Sequence, residues 1–523
     1  MPSYITLANV DGAIGTLPKT KTAQTKYHEN ITQTLGGKGA NLIRMARDME
    51  LPVPAAFIIP TTYSRSMTRM GHDPQESIWS HRDTLHTNVK YLQDETGRTF
   101  GDVAAMPLLL SVRSGAAVSM PGMMDTVLNV GLNDETVEAL AAATNDDFAW
   151  DSYRRFITMY ADTVNGVDVT SINADLAAAR EFLSVPSGTI PADITKELIA
   201  VAKKKLGKKM PPQNVYDQLE GCVIAVWRSW MGERAKAYRD MEGLSHTMGT
   251  AVTVQAMVFG NLNERSGTGV VFTRNPNTGA NERFGDFLVN AQGEDVVDGS
   301  SVTQPIASLN SIFPEAAAEL DAAIKKIEKA TGGDLNDIEF TIEDGKLWML
   351  QTRIGKRTAH AQVCITLDRL AAKNIKTAEA QSILTGLLDE AKKSGSGAAL
   401  DGSDLSPSGS GLSAVPGEAV GFAVFSSDEA VKRTAAGETV ILIRNETSPA
   451  DVAGMRVSAG ILTATGGLVS HAAVVARGWN IPCVVGCTDL TVNEDKKIAT
   501  IHGHKIAEGD LVKIDGTTGQ VFT

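Results

Sequence analysis

The sequence predicts a mixed α/β (α+β) protein with two folded parts that a flexible linker separates. Residues 134–245 carry Ala and Leu at helical spacing, whereas from residue 251 short apolar runs end at Gly or Asn-Pro, which is typical of strands. Residues 394–411 are rich in Gly and Ser and have linker composition. These patterns predict four segments, which are residues 1–245, 246–392, 393–412 and 413–523.

Composition and charge exclude several kinds of partner. With 523 residues, 43% hydrophobic and 21% charged, the chain has the composition of a soluble globular protein of two to four domains. Its formal charge of −12 argues against nucleic-acid or anionic-membrane binding. The N-terminus Met1-Pro-Ser-Tyr-Ile lacks the basic flank and long apolar core typical of a signal peptide, no later run approaches membrane-spanning length, and four scattered cysteines indicate reduced thiols. We therefore expect a cytoplasmic protein.

The most informative segment runs from Thr463 to Gly478. The pair Gly466-Gly467 ends a β-like run, and Ala472 to Arg477 reads as a short helix. His471 therefore lies where a turn becomes a helix, and the positive end of a helix stabilises a negatively charged group such as a phosphoryl group. Neutral imidazole can attack phosphorus. A core or capping histidine is the alternative interpretation.

Two N-terminal segments have residues that suit phosphate binding. Glycines surround Lys38 in the segment Gly36-Gly-Lys-Gly, and a helix-like run follows. Arg113 follows the strand candidate 108–112, and an arginine there can fork onto phosphate oxygens. The Gly-, Pro- and Met-rich residues 119–126 suit a loop that closes over a ligand. An ordinary turn and a surface loop with a structural arginine are the alternatives.

A predicted hairpin near residue 344 brings polar side chains together. Residues two apart on a strand share a face, so Asp337 and Glu339 lie together, as do Gln351 and Arg353. Carboxylate and amide oxygens suit Mg²⁺, and a guanidinium neutralises phosphate. A cross-strand ion pair on a solvated hairpin is the alternative. Upstream, the helical residues Arg228, Arg234, Lys236 and Arg239 are predicted to form a solvated helix face.

These segments together resemble the phosphoenolpyruvate-utilising dikinases, and most of all the pyruvate phosphate dikinases. The resemblance runs from about Lys38 to the C-terminus and rests on Gly-Gly-x-x-Ser-His-Ala-Ala-Val-Val-Ala-Arg-Gly, on Ser-Met-Pro-Gly-Met-Met-Asp-Thr, and on Asp-Ile-Glu-Phe-Thr with Leu-Gln-Thr-Arg. It implies an ATP-grasp nucleotide-binding domain followed by a small swivelling β/β/α phosphohistidine domain.

The resemblance also implies residue roles. His471 would be the phosphoryl carrier, and Mg²⁺ would bind Glu339 and Gln351. ATP would be bound by Lys38, Arg113, Gln255, Glu339, Gln351 and Arg353. The lid loop would contain Ser119, Gly122, Met123 and Met124, and the residues near the phosphohistidine would be Gly466, Gly467, Ser470 and Arg477.

This chain departs from the family pattern in two ways. No stretch has the eight strand–helix repeats of the family's acceptor-binding barrel, so we expect the acceptor site on a separate barrel subunit. Thr465 and Val469 stand where the dikinases typically have arginine and threonine. We expect an ATP-dependent dikinase subunit that forms AMP, with pyruvate or a phenolic compound as acceptor and phosphate or water as co-substrate. A non-catalytic phosphocarrier is the remaining alternative.

Overall fold

The computed structural model describes residues 4–18, 21–70, 73–118, 120, 126–183, 190–297, 303–393, 400, 402–403 and 405–523. Helices and strands are both abundant in this part of the chain, which confirms the mixed class. Contacts divide the chain into two units, Met1–Leu262 with Trp348–Gln351, and Asn263–Leu347 with Thr352–Thr523. The four-segment division of the chain stays a prediction. Among the described residues, the model has no helix long and apolar enough to cross a membrane.

The first unit contains a five-stranded antiparallel sheet of order β1-β2-β5-β3-β4. Its strands are β1 (Ile5–Thr6), β2 (Ala56–Ile59), β3 (Leu110–Ala116), β4 (Thr126–Val130) and β5 (Thr250–Ala256). Prolines 54 and 60 bracket β2, because proline cannot donate to a strand ladder. Strands β3 and β5 pair without a register break from Leu110 opposite Ala256 to Ala116 opposite Thr250.

Helices cover most of the remaining first unit. They are α1 (Val10–Ile14), α2 (Lys21–Ile43), α3 (Thr61–Met70), α4 (Pro74–Ser80), α5 (Arg82–Thr96), α6 (Thr136–Ala143), α7 (Asp146–Thr163), α8 (Thr170–Leu183), α9 (Ala192–Leu206), α10 (Val215–Trp230) and α11 (Glu233–Met241). A π-helical turn, Arg44–Asp48, follows α2. The core packs the inner faces of α5, α7 and α10 against Val112 and Val254 of the sheet.

The structure corrects the sequence analysis at the end of this helical region. The pattern from Asn214 to Tyr238 reads as one helix, but α10 and α11 are separate because Gly232, the N-cap of α11, has extended backbone. Arg239 is wrongly predicted to be solvated. It is fully buried, lies 4.0 Å from the Trp230 ring, and donates from Nε to His246 Nδ1 at 3.0 Å.

A five-stranded sheet of order β10-β9-β6-β7-β8 follows, whose strands belong to the second unit except for Trp348–Gln351 of β10. Its strands are β6 (Gly267–Phe272), β7 (Phe284–Val289), β8 (Gln304–Pro305), β9 (Asn336–Glu343) and β10 (Lys346–Ile354). The predicted hairpin of β9 and β10 is present, with Asp344 and Gly345 at positive φ in its turn. Helices α12 (Gly293–Val297), α13 (Leu309–Ile312), α14 (Pro314–Thr331), α15 (Ala359–Ala371) and α16 (Thr377–Lys393) accompany it.

An eight-stranded sheet follows, in the order β11-β21-β20-β13-β14-β15-β16-β12. Its strands are β11 (Pro407–Ser410), β12 (Leu412–Val415), β13 (Glu418–Val424), β14 (Val440–Arg444), β15 (Gly460–Thr463), β16 (Cys483–Val485), β20 (Leu511–Asp515) and β21 (Gln520–Phe522). The central strands β13 to β16 are parallel. They are nearly continuous apolar runs because both faces of a parallel sheet are covered.

Strand β11 corrects the linker prediction. Residues 394–399, 401 and 404 lie outside the described residues, but β11 falls inside the segment predicted to be flexible. It pairs antiparallel with β21, so backbone hydrogen bonds order a segment that has little apolar surface.

Short elements complete this part of the unit. A three-stranded antiparallel sheet contains β17 (Leu490–Asn493), β18 (Ile498–Ile501) and β19 (His504–Ala507). The helices are α17 (Ser427–Ala435), α18 (Val452–Val457) and α19 (His471–Trp479). Because β14 and β15 are parallel neighbours, the loops that leave their carboxyl ends start side by side, with Arg444 opposite Thr463.

Candidate active site

A glycine kink places Lys38 at the start of a helical segment. Gly36 interrupts α2 with φ 69°, and a Cβ atom there would lie 1.9 Å from the carbonyl oxygen of Gly115. Only glycine permits this approach. A Cβ atom at Gly115 would lie 3.7 Å from Lys38 Cβ, so Lys38 packs over the end of β3.

Arg113 and Gln255 lie on the same face as Lys38. In the pairing of β3 with β5, Arg113 is opposite Thr253 and Ser111 is opposite Gln255. Because side chains alternate along a strand, Arg113 shares its face with Gly115, and Gln255 lies diagonally across from it. Gln255 is 2% exposed, and its Nε2 donates to the Pro54 carbonyl at 3.1 Å. The structure thus brings together three residues that the sequence analysis assigns to ATP.

Glu339 and Arg353 belong to the second unit, whereas Gln351 belongs to the first. Arg353 Nε donates to Asp337 Oδ2 at 2.7 Å. Asp337 is 3% exposed, and its Oδ1 is buried without a hydrogen-bond partner among the described residues. Burial raises the pKa of the Asp337 carboxyl; Arg353 opposes this rise and Glu339 adds to it. Two carboxyl groups and a guanidinium therefore share one strand face.

His471 is the first residue of α19, as predicted, and Ser470 is its N-cap. Its Nδ1 lies 3.0 Å from the hydroxyl oxygen of Thr447. Its Nε2 is buried and has no hydrogen-bond partner among the described residues. Burial lowers the pKa of the His471 imidazole, and the Asp451 carboxylate opposes that shift. The neutral ring is therefore favoured near pH 7.

The turn before His471 is held by Asp286 of β7. Gly466 has φ 102°, and a Cβ atom at Gly467 would lie 2.8 Å from both Asp286 Oδ2 and Thr303 Oγ1. The N–H of Leu468 donates to Asp286 Oδ2 at 3.1 Å. Burial raises the pKa of the Asp286 carboxyl to about 6. The glycine pair is needed because a carboxylate and a hydroxyl approach the backbone closely.

Arg477 supports the same turn from within α19. It is fully buried, and its Nη2 donates to the carbonyl oxygens of Leu468 at 3.2 Å and Ala414 at 3.1 Å. Its Nε donates to Asn277 Oδ1 at 2.9 Å. The guanidinium also lies over the rings of Phe272 and Phe284. Arg477 thus fixes the backbone three residues before His471.

The lid residues and Ser470 differ from the other predicted site residues. The lid residues Ser119, Gly122, Met123 and Met124 lie outside the described residues. Ser470 is 4% exposed, and its hydroxyl oxygen has no partner in the described part of the chain. The sequence analysis does not select Thr447, whose contact with His471 spans 24 positions. The signal that could have found it is the segment Asn445-Glu-Thr-Ser-Pro-Ala-Asp, which resembles the segment that borders the histidine site in the dikinases.

Two family models match separate parts of this chain. The family model for the "pyruvate phosphate dikinase, AMP/ATP-binding domain" matches residues 76–308, and that for the "PEP-utilising enzyme, mobile domain" matches residues 436–519. The chain therefore combines a nucleotide-binding domain with a mobile domain of the PEP-utilising class.

Curated relatives extend the match over nearly all of the chain. It is 45% identical to the pyruvate, phosphate dikinase of Clostridium symbiosum over 501 residues, which cover 94% of this chain and 56% of the relative. It is 44% identical to that of Rhizobium meliloti (strain 1021) over 514 residues, or 93% and 55% of the two chains. The chloroplastic enzyme of Flaveria pringlei is 42% identical over 510 residues, or 95% and 52%. The chain belongs to the pyruvate phosphate dikinase family and spans about half the length of these relatives.

Proposed function

We propose that this chain transfers the β-phosphoryl group of ATP to its own His471, forms AMP, and passes the group on as the ATP-using part of a pyruvate phosphate dikinase. The observation that carries this proposal is the environment of His471. Thr447 occupies Nδ1, Nε2 has no partner among the described residues, and burial lowers the pKa of the ring. Neutral imidazole with a bare Nε2 is a nucleophile for phosphorus.

The proposed step conserves atoms and electrons. The Nε2 lone pair bonds to Pβ, the bond from Pβ to the oxygen shared with Pα breaks, and AMP leaves with that electron pair, so His471 first carries Pβ with Pγ still attached. An oxygen of the co-substrate phosphate then bonds to Pγ, the bond from Pγ to the oxygen shared with Pβ breaks, and pyrophosphate leaves phosphohistidine behind. The ring would keep its proton on Nδ1, where the Thr447 oxygen, 3.0 Å away, can accept it. The positive end of α19 stabilises the negative charge brought to His471. Because the relatives are named pyruvate, phosphate dikinases, we propose phosphate as the acceptor of the γ-phosphoryl group and pyruvate as the final acceptor.

The residues proposed to position ATP are those that the family resemblance implies. Lys38 and Arg113 supply positive charge on one sheet face, and Gln255 adds an amide there. Glu339, Gln351 and Arg353 would act on the phosphates and their metal. Positioning and charge neutralisation supply most of the catalysis in phosphoryl transfer.

The carboxyl groups of β9 fit Mg²⁺. Glu339 and Gln351 would hold the ion with hard oxygen ligands, and Asp337 presents a buried Oδ1 without a partner among the described residues. Bound Mg²⁺ neutralises phosphate charge. Arg353 donates to the other oxygen of Asp337, so Oδ1 is the oxygen of this carboxyl that could bind a cation.

Four further expectations concern the lid loop, the acceptor, a barrel subunit and the place of action in the cell. The loop containing Ser119, Gly122, Met123 and Met124 would close over ATP, by the family resemblance. No observation favours a phenolic acceptor or a separate barrel subunit, and the relatives are single proteins that match the whole chain. We propose the cytoplasm as the place of action.

Labelling with ATP that carries a radioactive β-phosphorus tests the proposal. The wild type is expected to take up label and release AMP, and His471→Asn to take up none. His504→Asn is the matched control, because His504 is an exposed histidine of the same unit. Label in His471→Asn, or an unlabelled wild type, would refute the proposal. Supplying pyruvate with the remaining half of a related dikinase should move the label to phosphoenolpyruvate.

A further inference from the structure

The turn that carries Thr447 is built on the buried carboxylate of Asp451. Asp451 Oδ2 accepts the backbone N–H of Ser448 at 2.8 Å and its hydroxyl at 3.0 Å. The Ser448 hydroxyl in turn accepts the N–H of Ala450 at 3.2 Å. These bonds form a capping box around the helical turn Pro449–Asp451. The carboxylate therefore fixes the backbone that directly follows Thr447.

Arg444, the last residue of β14, holds this carboxylate in turn. Its Nη2 lies 3.4 Å from Asp451 Oδ1, and its Nη1 donates to the Phe425 carbonyl at 2.9 Å and lies 3.2 Å from Glu494 Oε2. Asp451 is 3% exposed, and a buried carboxylate requires a cation and hydrogen bonds. Arg444 is also opposite Thr463, the last residue of β15, which leads to His471.

We propose that Arg444 and Asp451 are positioning residues for phosphoryl transfer: they hold the Thr447 hydroxyl where it accepts the Nδ1–H of His471, which leaves Nε2 as the attacking atom. This inference rests on the function proposed above and names the residues that select the nitrogen. A neutral histidine ring carries one proton, and the Thr447 hydroxyl can accept from Nδ1–H or donate to an unprotonated Nδ1. Attack through Nε2 requires the accepting arrangement, because the phosphorylated ring keeps its proton on Nδ1.

The charge of Asp451 also acts on the ring during transfer. When Nε2 bonds to phosphorus, the imidazole becomes a cation that keeps its proton on Nδ1. The carboxylate stabilises this cation by the same interaction that opposes the lowering of the His471 pKa. Arg444 pairs its positive charge with Asp451 and also with Glu494. Removing Arg444 therefore releases the Asp451 carboxylate from its position but leaves its negative charge unchanged.

The first experiment measures the His471 tautomer without any ATP chemistry. Histidine-labelled, unphosphorylated protein is examined by ¹⁵N–¹H NMR, with His471→Asn assigning the signal. The wild type is expected to carry the proton on Nδ1. Asp451→Asn keeps an oxygen for the Ser448 N–H and should behave as the wild type, whereas Asp451→Ala and the isosteric Thr447→Val should shift the proton towards Nε2. Thr447→Ser should restore the wild-type tautomer.

The second experiment measures the rate of His471 phosphorylation from labelled ATP. Asp451→Asn should react about tenfold more slowly, which corresponds to roughly one unit of pKa in the stabilised cation. Arg444→Met should also react more slowly, because the Asp451 carboxylate loses the contact that holds it in place. Arg433→Met is the matched control, because it removes an arginine paired with Glu438 elsewhere in the same unit, and it should react at the wild-type rate.

Each result decides one point. An unchanged tautomer in both Asp451→Ala and Thr447→Val overturns the positioning role, and a wild-type rate in Asp451→Asn overturns the role of its charge. If the tautomers behave as expected but no protein takes up label, the positioning holds and the proposed ATP chemistry fails.

Discussion

The substitution Gly36→Ala tests whether the close approach of α2 to β3 positions Lys38. The new Cβ atom would lie 1.9 Å from the Gly115 carbonyl oxygen, and the residue would have to keep φ 69°. The positive φ costs about 1 kcal/mol and the enforced overpacking about 2 kcal/mol, so the loss is about 3 kcal/mol. For a unit of this size, the melting temperature should fall by roughly 6–12 °C. Affinity for ATP should weaken as Lys38 moves away from β3.

Differential scanning calorimetry and ATP titration measure the two effects. Gly166→Ala is the matched control, because Gly166 has φ 61° in the same unit and a Cβ atom there meets nothing within 4 Å. It should lose only the backbone contribution, about 1 kcal/mol, and bind ATP as the wild type does. Equal destabilisation of the two variants would show that the contact with Gly115 does not hold the kink.

Four further perturbations concern residues of the second unit or the proposed Mg²⁺. Asp286→Asn removes a carboxyl whose pKa is raised to about 6 by burial. The folded state therefore holds this proton more tightly than the unfolded state. Thermal unfolding should show that the wild type loses stability relative to the variant as pH rises from about 4 to about 7. Arg477→Met leaves the acceptors Asn277 and Leu468 without their buried donor, so unfolding measurements should show a loss of about 3 kcal/mol and hydrogen exchange should increase in the turn before His471. Chelation of Mg²⁺, or Glu339→Gln, should slow labelling of His471 at least about tenfold, and excess Mg²⁺ should restore the rate only in the chelated wild type.

Local patterns were sufficient to predict many elements of the fold. The β9–β10 hairpin follows from alternation around Asp344-Gly345, and the start of α19 at His471 follows from a glycine pair before an apolar run. The break between α10 and α11 was missed because a single glycine is tolerated in many helices. Strand β11 was missed because its order comes from pairing with β21, which is more than one hundred residues away.

The candidate site also contains residues that could be predicted from the sequence and residues that only tertiary contacts place there. Local pattern alone left a core or capping histidine and an ordinary turn as alternatives for His471 and Lys38, and the family resemblance of their segments selected both residues without coordinates. Thr447 and Asp286 could not be selected from the sequence, because their contacts are made by tertiary structure. Thr447 meets His471 because β14 and β15 are parallel neighbours, and Asp286 meets Leu468 across 182 positions. No local periodicity encodes either pairing.

The parallel order of β14 and β15 has a consequence for how such a site diversifies. The nucleophilic ring and the hydroxyl that orients it sit on two connecting segments that leave adjacent carboxyl ends, outside the hydrogen-bonded ladder. Their lengths and side chains are therefore exchangeable without a change in strand pairing, which is the general reason that binding sites form at this edge of α/β sheets. Grafting these two segments onto another parallel sheet would transfer the orientation of the imidazole only together with a counterpart of Asp286, which holds the turn before His471 from β7.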